Sequence, residues 1–193
     1  EVQQAWDELN STKNRPLLNR GIQEIYPPGS TFKLVTAAAA LSSGQYTPDT
    51  KVKGGTTLDL PQTSTDLVNE NGSNCGGDPI TLTQALEVSC NVSFGDIGLR
   101  LGDDALRAQA EKFGFDQTYL NDIGGQVKSH FPENPDEPQT ALSAIGQFDV
   151  AATPLQMAMV AAGIANNGTV MRPYVVDEVQ APDLSLLDKT RPE

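Results

Sequence analysis

The largely apolar run Ser30 to Leu41 (STFKLVTAAAAL) contains no helix breaker, four successive alanines and a single charge, Lys33. This pattern predicts a helix beginning at or near Ser30, apolar all round and therefore buried at the centre of the domain. Tyr26-Pro27-Pro28-Gly29 precedes it: the prolines hold the backbone extended and the glycine permits a sharp turn. Ser42-Ser43-Gly44 supplies the stop. Further helices are expected at about Leu82–Ser89, Val92–Arg100, Asp103–Phe113, Thr140–Ile145 and Thr153–Asn166. The third is capped by an Asp and closed by Gly114; the last has Thr153 as N-cap and Pro154 at its first helical position.

The β signal is weaker. Residues 45–79 are rich in Thr, Gly, Asp and Asn, with β-favouring fragments at Lys51-Val52-Lys53 and Thr56–Leu60, and Tyr174–Val179 alternates well enough for a strand. Val2–Leu9 is a short amphipathic stretch, residues 121–138 form an acidic Gly- and Pro-rich loop, and the tail from Ala181 is expected to be loose. A chain of 193 residues with 38% hydrophobic content suits one domain, residues 1–193. Leu34–Leu41 and Val150–Ala165 are too short or too interrupted to cross a bilayer, and no signal peptide opens the sequence.

Charge and rare residues narrow the function. The net charge of −12 and scattered Lys and Arg would repel a polyanion, which argues against nucleic acid as a partner. Two cysteines, Cys75 and Cys90, and one histidine, His130, cannot supply a thiolate metal site; no metal and no cofactor is expected. By themselves the cysteines fit either two buried thiols or one disulfide in an oxidising compartment.

Ser30-Thr31-Phe32-Lys33 places an amine one turn from a hydroxyl. A serine is a poor nucleophile without an adjacent base, and burial lowers a lysine pKa toward the range where a neutral amine can accept its proton. At a helix start the Ser30 backbone N–H is unpaired and faces a developing oxyanion. Ser-x-x-Lys alone is a common string, and a capping Ser near a solvated Lys is its ordinary explanation. Its context differs: the lysine is the only charge in an apolar helix, and Ser89-Cys90-Asn91 offers a second hydroxyl and an amide that can point the same way.

Tyr26-Pro27-Pro28-Gly29-Ser30-Thr31-Phe32-Lys33, then Ser89-Cys90-Asn91, then Gly146-Gln147 with Thr153-Pro154-Leu155-Gln156-Met157-Ala158, resemble, in that order, the successive signatures of class B penicillin-binding proteins. The resemblance spans nearly the whole chain. It implies an α+β serine acyltransferase fold and a peptidoglycan D,D-transpeptidase of cell-wall synthesis and septum formation. Ser30 would be the nucleophile, Lys33 its base, Ser89 a proton relay, Asn91 a binder of the donor peptide amide, and the Ser30 backbone N–H half of an oxyanion hole. The implied partners are peptidoglycan stem peptides on lipid II or nascent glycan, β-lactam antibiotics and divisome proteins. The implied location is extracytoplasmic, anchored to the membrane by an N-terminal segment outside this chain. There a Cys75–Cys90 disulfide is expected to pin the Asn71–Gly77 loop beside the cleft.

Two departures from the family pattern stand out. The third motif, Lys-Thr-Gly or Lys-Ser-Gly, is absent; Lys189-Thr190-Arg191 has Arg where Gly must admit a substrate backbone. The first two sheet strands are not evident in residues 1–26 either. The chain is therefore expected to cover the helical lobe and nucleophile helix, with most of the central sheet missing. A β-lactamase would also need a deacylating base, and Gln117-Thr118-Tyr119-Leu120-Asn121 offers an amide where class A enzymes place a carboxylate. Class D enzymes carry Ser-x-Val, not Ser-x-Asn, at the second motif. A class D-like β-lactamase and a β-lactam-sensing or other non-catalytic binding domain stand as the alternatives.

Overall fold

The computed structural model describes residues 1–193. Its elements are α1 (Val2–Ser11), α2 (Arg20–Gln23), a 3-10 turn (Gly29–Phe32), α3 (Lys33–Ser42), β1 (Lys51–Val52), β2 (Thr57–Asp59), β3 (Asp66–Val68), a second 3-10 turn (Glu70–Gly72), β4 (Ile80–Thr81), α4 (Leu82–Glu87), α5 (Asn91–Leu101), α6 (Asp103–Lys112), α7 (Glu137–Ser143), α8 (Pro154–Ala165), β5 (Glu178–Gln180) and β6 (Leu186–Lys189). Three two-stranded antiparallel ribbons, β1–β4, β2–β3 and β5–β6, make up the β structure. No helix is long and apolar enough to cross a membrane.

Helix α3 lies between two apolar clusters. One face, with Ala37 and Ala40, meets Leu58, Leu67, Ile80, Leu82, Val92, Phe94 and Ile97 from the ribbons and α4–α5. The other, with Phe32, Val35 and Ala39, meets Leu106, Ala110, Phe113, Phe115, Phe131, Val150 and Val160. Phe32 is wholly buried, its ring edge-on to Phe115 and stacked near Phe131. Burying one such ring stabilises the fold by about 1.5–3 kcal/mol. The expectation of an all-round buried helix holds for most of α3, but Leu34 and Ala38 are only half-buried and the end at Leu41 and Ser42 is exposed.

The structure corrects several boundaries. Ser30 lies in the 3-10 turn Gly29–Phe32, and α3 begins at Lys33; Pro28 cannot donate and Gly29 sits at φ 54°, so the chain enters through a tighter turn before α-geometry takes over. Helix α4 stops at Glu87 because Ser89 adopts φ 56°, where a regular helix cannot continue. Gly102, not an aspartate, occupies the N-cap of α6, with Asp103 and Asp104 in its first turn. Helix α7 starts at Glu137, earlier than expected, because Asp136 and Gln139 form a capping box. Tyr174–Asp177 is not strand, and the tail expected to be loose is hairpin: Glu178 pairs with Lys189 and Val179 with Asp188. Its strands are exposed throughout, so no burial pattern announced them.

Two ties hold the elements around α3. Gly29 N–H donates to Gly146 O at 2.9 Å, and Tyr26 and Ala152 exchange backbone hydrogen bonds, so the 146–152 segment clamps the turn that carries Ser30. Gly146 sits at φ 73°, and a Cβ there would stand 2.1 Å from Gly29 O. Only glycine fits. Cys75 and Cys90 are joined in a disulfide across a 15-residue separation, fastening the loop after β3 to the N-cap of α5.

Gly146→Ala is expected to destabilise the domain by more than about 2 kcal/mol, since backbone must yield on both sides of the contact; thermal unfolding checks it. Thiol titration of the denatured, unreduced chain is expected to find no free thiol. Replacing both cysteines by serine is expected to lower stability by about 3 kcal/mol, the entropy of a loop of this size, read from denaturant midpoints.

Candidate active site

Side chains three residues apart eclipse in 3-10 geometry, so the turn at Gly29–Phe32 sets Lys33 directly over Ser30. The Lys33 ammonium nitrogen is 3.1 Å from Ser30 Oγ, 2.9 Å from Ser89 Oγ, 2.7 Å from Ser89 O and 2.6 Å from Asn91 Oδ1. Ser30 and Ser89 are exposed and Asn91 half-buried, whereas Lys33 retains 1% of its accessible surface. The two hydroxyls therefore face outward above a sequestered amine. All four side chains singled out in the sequence, Ser30, Lys33, Ser89 and Asn91, meet at this nitrogen.

Burial lowers the Lys33 pKa from 10.5 to about 8, against a smaller opposing pull from the Glu70 carboxylate. The partners explain what the amine can do. Ser89 O and Asn91 Oδ1 can only accept, so they use two N–H bonds. A neutral amine has two, which leaves its lone pair for a hydroxyl proton from Ser30 or Ser89. The protonated form directs its third N–H back at a hydroxyl oxygen. The arrangement thus accommodates both protonation states without movement, as a proton-transfer centre requires.

Ser89 reaches the amine because its positive φ turns the chain between α4 and α5, presenting hydroxyl and carbonyl together. Asn91, the first residue of α5, is held at its other end: Nδ2 donates to Val68 O at 3.0 Å. The Ser30 N–H donates to no protein acceptor and is free at the start of the turn. No group of His, Cys, Asp and Glu residues could hold a metal ion. Gln117 donates to Glu111 O, so its amide is engaged on α6. Lys189 lies exposed on β6, paired with Asp177 and Glu178. His130 Nε2 lies 3.5 Å from Asp149 Oδ2, outside the cluster.

Sequence reasoning missed Val68, Asn69 and Glu70, which approach the site from a ribbon some twenty residues away in sequence. Only the tertiary pairing brings them there. Gly146 belonged to a recognised signature, but its contact with Gly29 had no local signal.

Fold and site together have the form of a penicillin-interacting serine acyltransferase. The sequence profile of the penicillin binding protein transpeptidase domain matches residues 3–193, and the chain belongs to that family. It is 45% identical over 191 residues to the peptidoglycan D,D-transpeptidase PbpA of Mycolicibacterium smegmatis, covering 98% of this chain and 38% of that protein. With PbpA of Mycobacterium tuberculosis it shares 43% over 192 residues, covering 98% of this chain and 39% of the relative. The chain thus spans about two fifths of the length of these curated relatives. The solved structure of penicillin-binding protein A from M. tuberculosis as its imipenem acyl-enzyme complex superposes with a TM-score of 0.93 at 41% identity, covering 99% of this chain and 44% of that one. The D,D-transpeptidase domain of a peptidoglycan glycosyltransferase from Eggerthella lenta gives 0.88 at 30% identity, covering 99% and 49%. These likenesses agree with an α+β fold of which the chain holds the helical part.

Lys33 also makes stability depend on pH. Its folded pKa lies below its unfolded value, so between about pH 8 and 10.5 the unfolded chain holds a proton that the folded chain does not. The Lys33 contribution to stability is therefore expected to rise with pH across that window, by about 3 kcal/mol in all. Lys33→Met, a close match in length without the charge, is expected to remove this slope. Denaturant unfolding from pH 7 to 11 reads both variants.

Proposed function

We propose that the protein carrying this chain is a peptidoglycan D,D-transpeptidase working through a Ser30 acyl-enzyme. The observation that carries the reading is the position of Lys33 Nζ, within hydrogen-bonding distance of both Ser30 Oγ and Ser89 Oγ. The names of the PbpA relatives support it, as does the acyl-enzyme form of the matching mycobacterial structure.

Ser30 Oγ attacks the carbonyl carbon between the two terminal D-Ala residues of a stem peptide, and its proton passes to Lys33 Nζ. The free Ser30 N–H contributes one donor to the oxyanion. The proton then moves through Ser89 Oγ to the departing amine, the C–N bond breaks, and D-Ala leaves. The amine of a second stem peptide attacks the ester, surrenders a proton along the same route in reverse, and frees Ser30. Asn91 Nδ2 has one hydrogen committed to Val68 O and a second for the donor peptide's amide carbonyl. A β-lactam enters the first half of this sequence and stays on Ser30.

On this reading the protein works outside the cytoplasmic membrane, where the Cys75–Cys90 disulfide persists. A septal role, divisome partners and an N-terminal anchor belong to the same proposal and rest on the family resemblance. Because Lys-Thr-Gly and Lys-Ser-Gly do not occur in these residues, the proposal assigns full activity to the longer polypeptide.

Intact mass after incubating that polypeptide with a penicillin, followed over hours, is expected to show one persistent adduct, absent in Ser30→Ala. Rapid loss of the adduct with hydrolysis of the drug would instead establish a β-lactamase. A persistent adduct with no transfer to an added amine would favour a sensor.

A further inference from the structure

The Asn91 amide has two unlike ends, and the site works only one way round. Oδ1 must face Lys33, because an amide N–H pointed at the amine would meet another donor. What fixes the orientation is Val68 O, which accepts from Nδ2 at 3.0 Å. The position of that carbonyl therefore governs how Asn91 presents itself both to Lys33 and to a ligand.

Val68 ends the β2–β3 ribbon, whose Leu67 packs against α5; a Cβ on Gly95 would stand 2.4 Å from Leu67 Cδ2. The next residue, Asn69, is 6% exposed and uses its side chain in three directions. Nδ2 donates to Gly55 O at 2.8 Å and to Ser73 O at 2.9 Å. Oδ1 accepts from Val92 N–H at 3.0 Å, one of the N-terminal amides that α5 cannot satisfy internally. One side chain thus joins the start of the ribbon, the loop that runs to Cys75, and the first turn of the helix that begins with Asn91. Both donors and the acceptor are needed, and no shorter or apolar residue supplies them.

We propose that Asn69 is a positioning residue for the acyl-transfer site, holding the Val68 carbonyl and the first turn of α5 in register so that Asn91 turns its oxygen to Lys33 and its free N–H to the ligand. This rests on the acyl-enzyme reading of Ser30. Asn69 touches neither the amine nor the nucleophile, and it acts through Asn91.

The distinguishing measurement compares two β-lactams on the full polypeptide: benzylpenicillin, whose side-chain amide carbonyl can accept from Asn91, and 6-aminopenicillanic acid, which has no such carbonyl. Asn69→Ala is expected to slow acylation by benzylpenicillin about tenfold more than acylation by 6-aminopenicillanic acid, the worth of one ligand hydrogen bond. Asn91→Ala is expected to lose the same preference, and the double variant to lose no more than Asn91→Ala alone. Asn69→Asp keeps the acceptor for Val92 N–H without the two donor bonds. It is expected to give an intermediate ratio, and it carries the comparison if the alanine variant does not fold. Equal slowing of both compounds, or a further loss of preference on the Asn91→Ala background, would overturn the proposal and leave Asn69 a stability residue. Failure of both compounds to label Ser30 in the unsubstituted protein would instead remove the acyl-enzyme reading itself.

Discussion

A lysine nitrogen stripped of water and surrounded by four oxygens imposes conditions that the surrounding elements are arranged to meet. An ammonium taken out of water without partners is too costly to keep, so it is either neutralised or supplied with acceptors. Here both happen in part. Ser89 O and Asn91 Oδ1 satisfy two N–H bonds, and burial brings the pKa to about 8. The remaining position on the nitrogen is directed at Ser30 and Ser89, the two hydroxyls that face solvent. Burial lowers the pKa and the Glu70 carboxylate opposes it only weakly, which leaves the amine able to exist in either form near neutral pH.

Meeting those conditions requires segments far apart in sequence to be held within hydrogen-bonding distance of one another. Residues 30–33 supply a hydroxyl and the amine, residues 89–91 supply the acceptors and a second hydroxyl, Val68 holds the amide, and Gly146 abuts the turn from behind. Each closure of a loop this long costs entropy before any contact repays it. The disulfide reduces that cost where it matters most, since it ties the loop after β3 to the residue between Ser89 and Asn91. Ser89 itself is held at φ 56°, an uncommon conformation for a serine that persists because α4, α5 and the disulfide fix the chain on both sides.

The cluster of Ser30, Lys33, Ser89 and Asn91 was legible because it rests on local facts: a single charge in an apolar run, its spacing from Ser30, and a triplet whose side chains can converge. The helices were legible for similar reasons, through caps such as Thr153 and stops such as Gly44. The start of α7 was missed although its Asp136–Gln139 capping box is local; other details that failed were set by tertiary contact. The 3-10 turn at Ser30 is favoured locally by Pro28 and Gly29 but is clamped by the backbone bond from Gly29 to Gly146, 117 residues later, which has no local signal. The β5–β6 ribbon is exposed on all its residues, so it carries no alternation of burial. Asn69 reads in sequence as one more polar loop residue among Asn71, Ser73 and Asn74; its burial follows from the docking of a ribbon on α5, to which hydrophobic periodicity is blind.

The pKa of Lys33 shows why the helical lobe is built around desolvation and not around a charged partner. An undisturbed amine at pH 7 would be neutral in roughly three molecules per ten thousand, whereas one with a pKa near 8 is neutral in about a tenth. A carboxylate in direct contact would have reversed that gain by stabilising the ammonium. The nearest influence of that sort, Glu70, is exposed and makes only the smaller contribution. The acceptors that do touch the nitrogen are a carbonyl, an amide and two hydroxyls, all uncharged. They orient the amine and satisfy its hydrogens without anchoring its proton, and a ligand lying over Ser30 and Ser89 would exclude the water that screens them. Neutral partners are therefore what allow one buried lysine to be held in place and still give up its proton.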